Sequence, residues 1–139
     1  DGKQSTRAIH LALKDAKINK EQVDYINFHG TSTIVNDKVE TLAVKNLFNS
    51  LSPKIPVSST KSMIGHPQGA SGGLGVSVSL LSLYNNFLTP TINQENPDPD
   101  CDLDYVPNKG REKNLNIAIS NCISFGSKNS ALVLGKFPR

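Results

Sequence analysis

The chain has 139 residues, 37% apolar and 19% charged, and 15 basic against 12 acidic side chains give a formal charge of +3. That is one domain's worth of chain with material for its own core, and too apolar for a disordered segment. The basic excess is small and scattered, which argues against a nucleic-acid partner, and no apolar run approaches the roughly 18 residues of a membrane span.

Ile9, Ala12, Leu13 and Ala16 recur at helical spacing and predict an amphipathic helix over 4–17. Val23 to Phe28 reads as a strand, rich in β-branched and aromatic residues and closed by Gly30. Val39, Leu42, Ala43, Asn46 and Leu47 predict a second helix over 36–49, with Asn36 or Asp37 as its cap. Ile55 to Val57 begins a short strand that runs into a polar, Gly-containing loop, Ser58 to Gly69. From Ala70 to Asn85 the apolar residues leave no clean polar side, which predicts a buried helix whose glycines admit close neighbours. Val76 to Leu80 also alternates as a strand does, but length and the preceding loop favour helix. Residues 88–114, rich in Pro, Asn and Asp, read as one long ordered loop. Leu115 to Ile123 and Ser130 to Leu134 are two final strands joined through 124–129. The sum is a layered α/β domain with a mixed sheet that ends in a hairpin. A helix comes first, so a central strand is expected upstream of Asp1, and a start without Met reads as a fragment or processed piece.

Several chemistries fail on spacing. Asp98, Asp100, Asp102 and Asp104 resemble a calcium loop, but Leu103 stands where the turn glycine is needed and Lys109 where the closing Glu is needed. There is no Walker or dinucleotide glycine loop and no zinc-ligand spacing. Cys101 and Cys122 make no disulfide framework, and no apolar leader opens the chain, so the expected compartment is the cytoplasm, or the stroma or matrix of an organelle. Cys101 sits among aspartates and Cys122 in an apolar strand, so neither looks like a nucleophile.

Three loops remain, each following a strand. His29-Gly30-Thr31-Ser32-Thr33 offers a proton-handling imidazole, or simply hydroxyls that cap the next helix. Ser58 to His66 brings Lys61 and His66 into one loop, either facing a cleft or solvated. Ser124-Phe125-Gly126-Ser127 offers backbone N–H groups as an oxyanion donor, or a plain hairpin turn. In a parallel sheet the ends of such strands share one rim. Two imidazoles, an ammonium and a backbone donor would then meet, a set suited to stabilising a negative oxygen on a carbonyl substrate.

His29-Gly30-Thr31-Ser32-Thr33 and Ser59 to Ala70 resemble the two histidine motifs of the condensing enzymes, the β-ketoacyl-[acyl-carrier-protein] synthases of the type II group. Pro90-Thr91-Ile92-Asn93, Asp104-Tyr105-Val106-Pro107 and Asn121 extend the resemblance along the chain. It implies the C-terminal half of a thiolase-like fold, with residues 70–85 as its buried Gly/Ala/Leu-rich helix, and an apolar face left unmet in these 139 residues. It implies a decarboxylative Claisen condensation in fatty-acid or polyketide synthesis, with substrates carried on the phosphopantetheine of acyl carrier protein and no other cofactor or metal. His29 and His66 would act on the malonyl thioester, with Lys61 supporting His66. Thr31 and Thr33 match the hydroxyls that bond the pantetheine arm. Phe125 matches the residue that gates the acyl pocket, and with Gly126 it forms the oxyanion turn. The nucleophilic cysteine would lie in an N-terminal half, outside this chain, so the chain by itself would be inactive. A homodimer is implied too. The other reading from the same family is a non-catalytic partner subunit of the chain-length-factor kind. A thiolase would carry a second cysteine in a Cys-x-Gly setting, which Cys122-Ile123-Ser124 does not supply. Three departures stand out: Gly75 replaces the family's glutamate, Ile34 replaces proline, and Ser124 and Ser127 replace glycines.

Overall fold

A computed structural model describes residues 2–126 and 128–137. Helix α1 (Lys3–Ala16) buries Ser5, Ile9 and Leu13 and stops at Lys17, which takes the left-handed conformation. Strand β1 (Tyr25–Asn27) is shorter than the expected 23–28, yet all three of its residues are buried. Helix α2 (Ile34–Phe48) starts earlier than expected. Its cap is Thr33, whose hydroxyl accepts the Asn36 N–H, so neither Asn36 nor Asp37 has that role.

Strand β2 (Val57–Ser58) and strand β5 (Ile117–Ser124) flank β1, and both pairings are parallel. Strand β6 (Lys128–Gly135) lies antiparallel on β5, so the order is β2-β1-β5-β6. This is the expected mixed sheet and hairpin. The expectation of a missing central strand fails, because β1 hydrogen-bonds directly to β5 and leaves no gap. A further strand has only the outer edges of β2 and β6 to pair with.

Alternation along β1 divides the core in two. Ile26 and Ile119 face Ile9, Leu13, Val44 and Phe48 of α1 and α2. Tyr25 and Ala118 face the opposite side, with Leu83, Leu88, Val106 and Leu115. Leu83 belongs to helix α4 (Ser71–Asn85), the helix expected over 70–85. The short helix α3 (Lys61–Ile64) forms inside what reads as loop. The expected loop 88–114 is pinned near its ends by a small antiparallel pair, strand β3 (Phe87–Leu88) and strand β4 (Arg111–Glu112). Between them the aspartates tie the segment down. Lys38 meets Asp98 and Asp100, Lys45 meets Asp102 at 2.7 Å, and Arg111 meets Asp104.

Helix α4 is not covered on every side. Against the sheet it sets its smallest residues, Ser71, Gly75, Ser79 and Ser82, while Leu74, Leu80, Leu81 and Tyr84 stand exposed. A wide apolar stripe would hold the helix away from the sheet; small side chains let the backbones approach. At Gly75 a Cβ would stand 2.9 Å from Ser120 Oγ and 3.1 Å from Asn27 Oδ1. The outward leucines form the unmet face that the family resemblance implies, and a patch of this kind marks a contact surface.

Two outcomes follow. Gly75→Leu forces α4 off Asn27 and Ser120 and should destabilise by about 1–3 kcal/mol, as overpacking does; an unchanged denaturant midpoint would contradict this packing. The 139-residue chain on its own should self-associate through the α4 leucines, and Leu80→Lys with Leu81→Lys should shift its sedimentation toward monomer.

Candidate active site

Because β1 and β2 are adjacent and parallel, their C-terminal ends open on the same rim. His29 follows β1 and the Lys61–His66 segment follows β2. The two imidazoles meet edge to face, ring centres 5.2 Å apart and planes at 80°. Gly30, Thr31, Thr33, Ser59, Lys61 and His66 line a cleft of about 780 Å3.

Ser59 fastens the two loops. Its hydroxyl donates to the Gly30 carbonyl at 3.0 Å and accepts the Lys61 N–H at 3.3 Å. The approach requires glycine at position 30: φ is +43°, and a Cβ would fall 2.5 Å from Ser59 Cβ. Ser32 also takes a positive φ, 58°, which turns the chain so that Thr31 and Thr33 bring their hydroxyls within 3.1 Å. Thr33 therefore caps α2, and Gly30, Thr31 and Thr33 also line the cleft.

The hydrogen bonds assign the tautomer of His66. Its Nδ1 accepts the Gln68 N–H at 3.0 Å, so in the neutral ring the proton resides on Nε2, which becomes a donor. His66 is exposed, whereas His29 is buried, and His29 Nδ1 has no hydrogen-bond partner among the described residues. Burial, then the charges of Lys61 and His66, lower the His29 pKa from 6.5 to about 4. At neutral pH the ring is uncharged. Burial also lowers the pKa of Lys61, against the opposing pull of Glu40 and Cys122.

Glu40 was not foreseen. It projects from α2 and is fully buried under the His29 loop. Its Oε1 accepts the His29 N–H at 2.9 Å, and its Oε2 accepts the Gly30 N–H at 2.7 Å and the Asn36 side-chain amide at 2.9 Å. Burial raises its pKa from 4.5 to about 7 despite those donors. The signal in the sequence was an acidic residue at helical spacing from Ala43 and Val44, on the apolar side of the helix. Gly75, by contrast, brings no carboxylate near Lys61. Asn27 and Ser120 crowd that position instead.

Phe125 and Gly126 do not line this cleft. Strand β5 runs four residues past Ser120, the last residue paired with β1, or about 13 Å at strand rise. It ends in a turn where Gly126 has φ 73° and the Phe125 side chain is fully exposed. Ser127 lies outside the described residues. Cys122 is half-buried, with its sulfur 4.0 Å from a Cβ built on Gly72.

Residues 1–95 match the family described as beta-ketoacyl synthase, C-terminal domain. The chain belongs to that family. It is 47% identical over 137 residues to 3-oxoacyl-[acyl-carrier-protein] synthase 2 of Synechocystis, and 48% identical over 131 residues to the protein of that name from Coxiella burnetii. These alignments cover 99% and 94% of the chain but 33% and 32% of the relatives, so the chain spans about a third of their length. Among solved structures, the ishigamide ketosynthase/chain length factor superposes with a TM-score of 0.95 at 37% identity, over 99% of this chain and 34% of that one. A type II polyketide synthase acyl-carrier protein in complex with its ketosynthase gives 0.96 at 38% identity, over 99% of this chain and 34% of that one. The β-ketoacyl synthase fold, thiolase-like, is thereby shown. Among the described residues no helix is long and apolar enough to cross a membrane.

The electrostatics carry a titration with a definite sign. Lys61→Ala removes a positive neighbour, so the His29 midpoint should rise from about 4 toward 6.5 without reaching it, because burial is the larger cause. The Cε1 proton resonance against pH measures this, and an unmoved midpoint would refute the placement of Lys61. The folded-state pKa lies below the unfolded one. Stability from the neutral ring is therefore present above about pH 6.5 and lost as the pH falls through about 4.

Proposed function

We propose that this chain supplies the decarboxylation half-site of a β-ketoacyl-[acyl-carrier-protein] synthase. The observation that carries the reading is the imidazole pair itself. Two imidazole rings sit 5.2 Å apart at the ends of adjacent parallel strands, with Nε2 of His66 left to donate because its Nδ1 accepts a backbone N–H. Two such donors can share one developing oxyanion.

In the proposed step the malonyl thioester breaks its bond to the carboxylate and releases carbon dioxide. The electron pair of that bond moves onto the thioester oxygen as an enolate. N–H donors of His29 and His66 stabilise that oxygen, the kind of preorganised interaction that contributes most in enzymes. The enolate carbon then attacks the carbonyl of an acyl chain held on a cysteine, and the thiolate leaves. That cysteine belongs to an N-terminal half of the synthase. Phe125, with Gly126 beside it, would contribute its N–H to the oxyanion of this second step once that half is in place. Thr31 and Thr33, on the cleft wall, would bond the pantetheine arm, and Lys61 would bias the field around His66. Partners in this reading are acyl carrier protein, the N-terminal half and a second protomer, with fatty-acid or polyketide synthesis as the setting. The relative solved with its acyl-carrier protein supports the first of these. Both histidines and Lys61 are present and converge, which favours a synthase over a non-catalytic chain-length-factor subunit.

The two stages separate the roles. His29→Ala in the full-length protein should reduce malonyl decarboxylation by about a hundredfold or more, the usual loss for an oxyanion donor. Acyl transfer to the cysteine should persist. Single-turnover assays of each stage measure this, and equal loss in both would remove His29 from the decarboxylation step.

A further inference from the structure

The serines of helix α4 use their hydroxyls in different ways. Ser77 donates to the Gly73 carbonyl at 2.9 Å and Ser79 to the Gly75 carbonyl at 2.8 Å, the ordinary bond of a helical serine to the turn before it. Ser82 Oγ is buried without a hydrogen-bond partner among the described residues. Ser71 alone of the four reaches off the helix, and its Oγ stands 3.1 Å from His66 Nδ1. It is the first residue of α4 and is buried, whereas His66 is exposed.

The direction of this bond follows from a second one. The Gln68 N–H points at the same Nδ1 from 3.0 Å, and a backbone amide can only donate. Nδ1 is therefore an acceptor, and the proton of the uncharged ring sits on Nε2. The Ser71 hydroxyl, free to rotate, then turns its hydrogen toward Nδ1. The two donors hold the ring to different things. Gln68 is two residues from His66 and moves with the same loop. Ser71 starts a 15-residue helix whose small residues lie against the sheet, so its bond ties the ring to the body of the domain. An exposed imidazole held only by its own loop can change rotamer. Held from the helix as well, it keeps its place beside the His29 ring.

We infer that Ser71 is a positioning residue of this cleft: its hydroxyl donates to His66 Nδ1, fixes the Nε2–H tautomer and anchors the His66 ring to helix α4. The inference rests on the condensation reading given above and adds a group to it. Ser71 is not on the cleft wall and acts through the ring it holds. Position 75, the next turn of the same face, is a glycine with no side chain to reach the site, so the hydroxyl that this face of α4 gives to the histidine pair is that of Ser71.

The first test is spectroscopic. The full-length protein is labelled at the histidine ring nitrogens and held at about pH 8.5, well above the ordinary histidine range. The two His66 resonances should stand far apart, Nδ1 as an unprotonated acceptor and Nε2 as a protonated donor. Ser71→Ala removes one oxygen, keeps Cβ and puts a good helix former in the helix. It should draw the two resonances together as the ring samples its other tautomer. Ser71→Thr, which keeps the hydroxyl, should hold them apart. Resonances unmoved in Ser71→Ala overturn the inference. The second test follows each half-reaction with a malonyl thioester. Ser71→Ala should lower kcat for decarboxylation about tenfold, the scale of one hydrogen bond, with KM nearly unchanged and acyl transfer to the cysteine retained. Ser71→Thr should recover most of that rate. A wild-type kcat in Ser71→Ala, equal losses in both half-reactions, a loss confined to KM, or a threonine variant no better than the alanine one overturns it. Should the wild-type protein show no decarboxylation, the condensation reading fails, and the ring resonances alone judge Ser71.

Discussion

Parallel pairing on both sides of Tyr25–Asn27 is the constraint on which the rest depends. Three residues are a short strand, but they are buried and they form the hinge of the sheet. Ile26 donates to Pro56 on one side, and Phe28 donates to Ser58. This pairing brings the loop after Asn27 and the loop after Ser58 out on one rim, a few ångströms apart. It brings together His29 and His66, which are 37 positions apart in sequence, and the Ser59 hydroxyl then ties the two loops to each other. Behind the rim, Tyr25 Oη bonds Ser58 Oγ at 2.8 Å and accepts from Asn27 Nδ2 at 3.1 Å, so the strand pair is also locked by buried polar groups. Such groups must be satisfied together, which favours one register over its alternatives.

What the amino-acid pattern revealed, and what it hid, follows from which forces are local. The spacing of Ile9 and Leu13 is a helix's own property, and α1 forms where that spacing predicts. The shared rim of the two histidine loops could be argued from strand order alone. Caps were ambiguous for a local reason: Thr31, Ser32, Thr33, Asn36 and Asp37 are all capping residues, and only the backbone geometry selects Thr33. The expectation that the missing strand is central failed because it assumed that the first strand in sequence lies in the middle of the sheet. Strand order is set by long-range pairing, and β5 comes from the far end of the chain to sit beside β1. Helix α4 was read by counting apolar residues. The decisive pattern was in the others, Ser71, Gly75, Ser79 and Ser82, whose spacing marks a single face.

The aspartate run shows how a motif can be accounted for by neighbours instead of ligands. Lys38 and Lys45 are seven residues apart on α2 and therefore lie on the same face. Asp98 and Asp100 take the first and Asp102 the second. Each exposed pair contributes little by itself. Together they lay residues 98–104 along α2, and that placement brings Cys101 and Tyr105 into the wall of the cleft. The tie is therefore more about where the wall stands than about how stable the domain is.

The two buried titrating groups beside the cleft work against each other with pH. Glu40 has a folded-state pKa above its ordinary value, so its contribution to stability is full below about pH 4.5 and lost as the pH rises through about 7. His29 has a folded-state pKa below its ordinary value, so its contribution is present above about pH 6.5 and lost as the pH falls through about 4. The fold is best served, as far as these two groups go, by a neutral Glu40 beside a neutral His29 in mildly acidic solution. The hydrogen bonds ask for something else. Three donors aimed at the Glu40 oxygens favour the ionised carboxyl, which burial resists. A group selected for stability alone would be apolar here, as Ala43 and Val44 are on the same face. Keeping a carboxylate in that position costs stability near neutral pH, and its three hydrogen-bond donors, two of them the backbone N–H groups of His29 and Gly30, offset part of that cost.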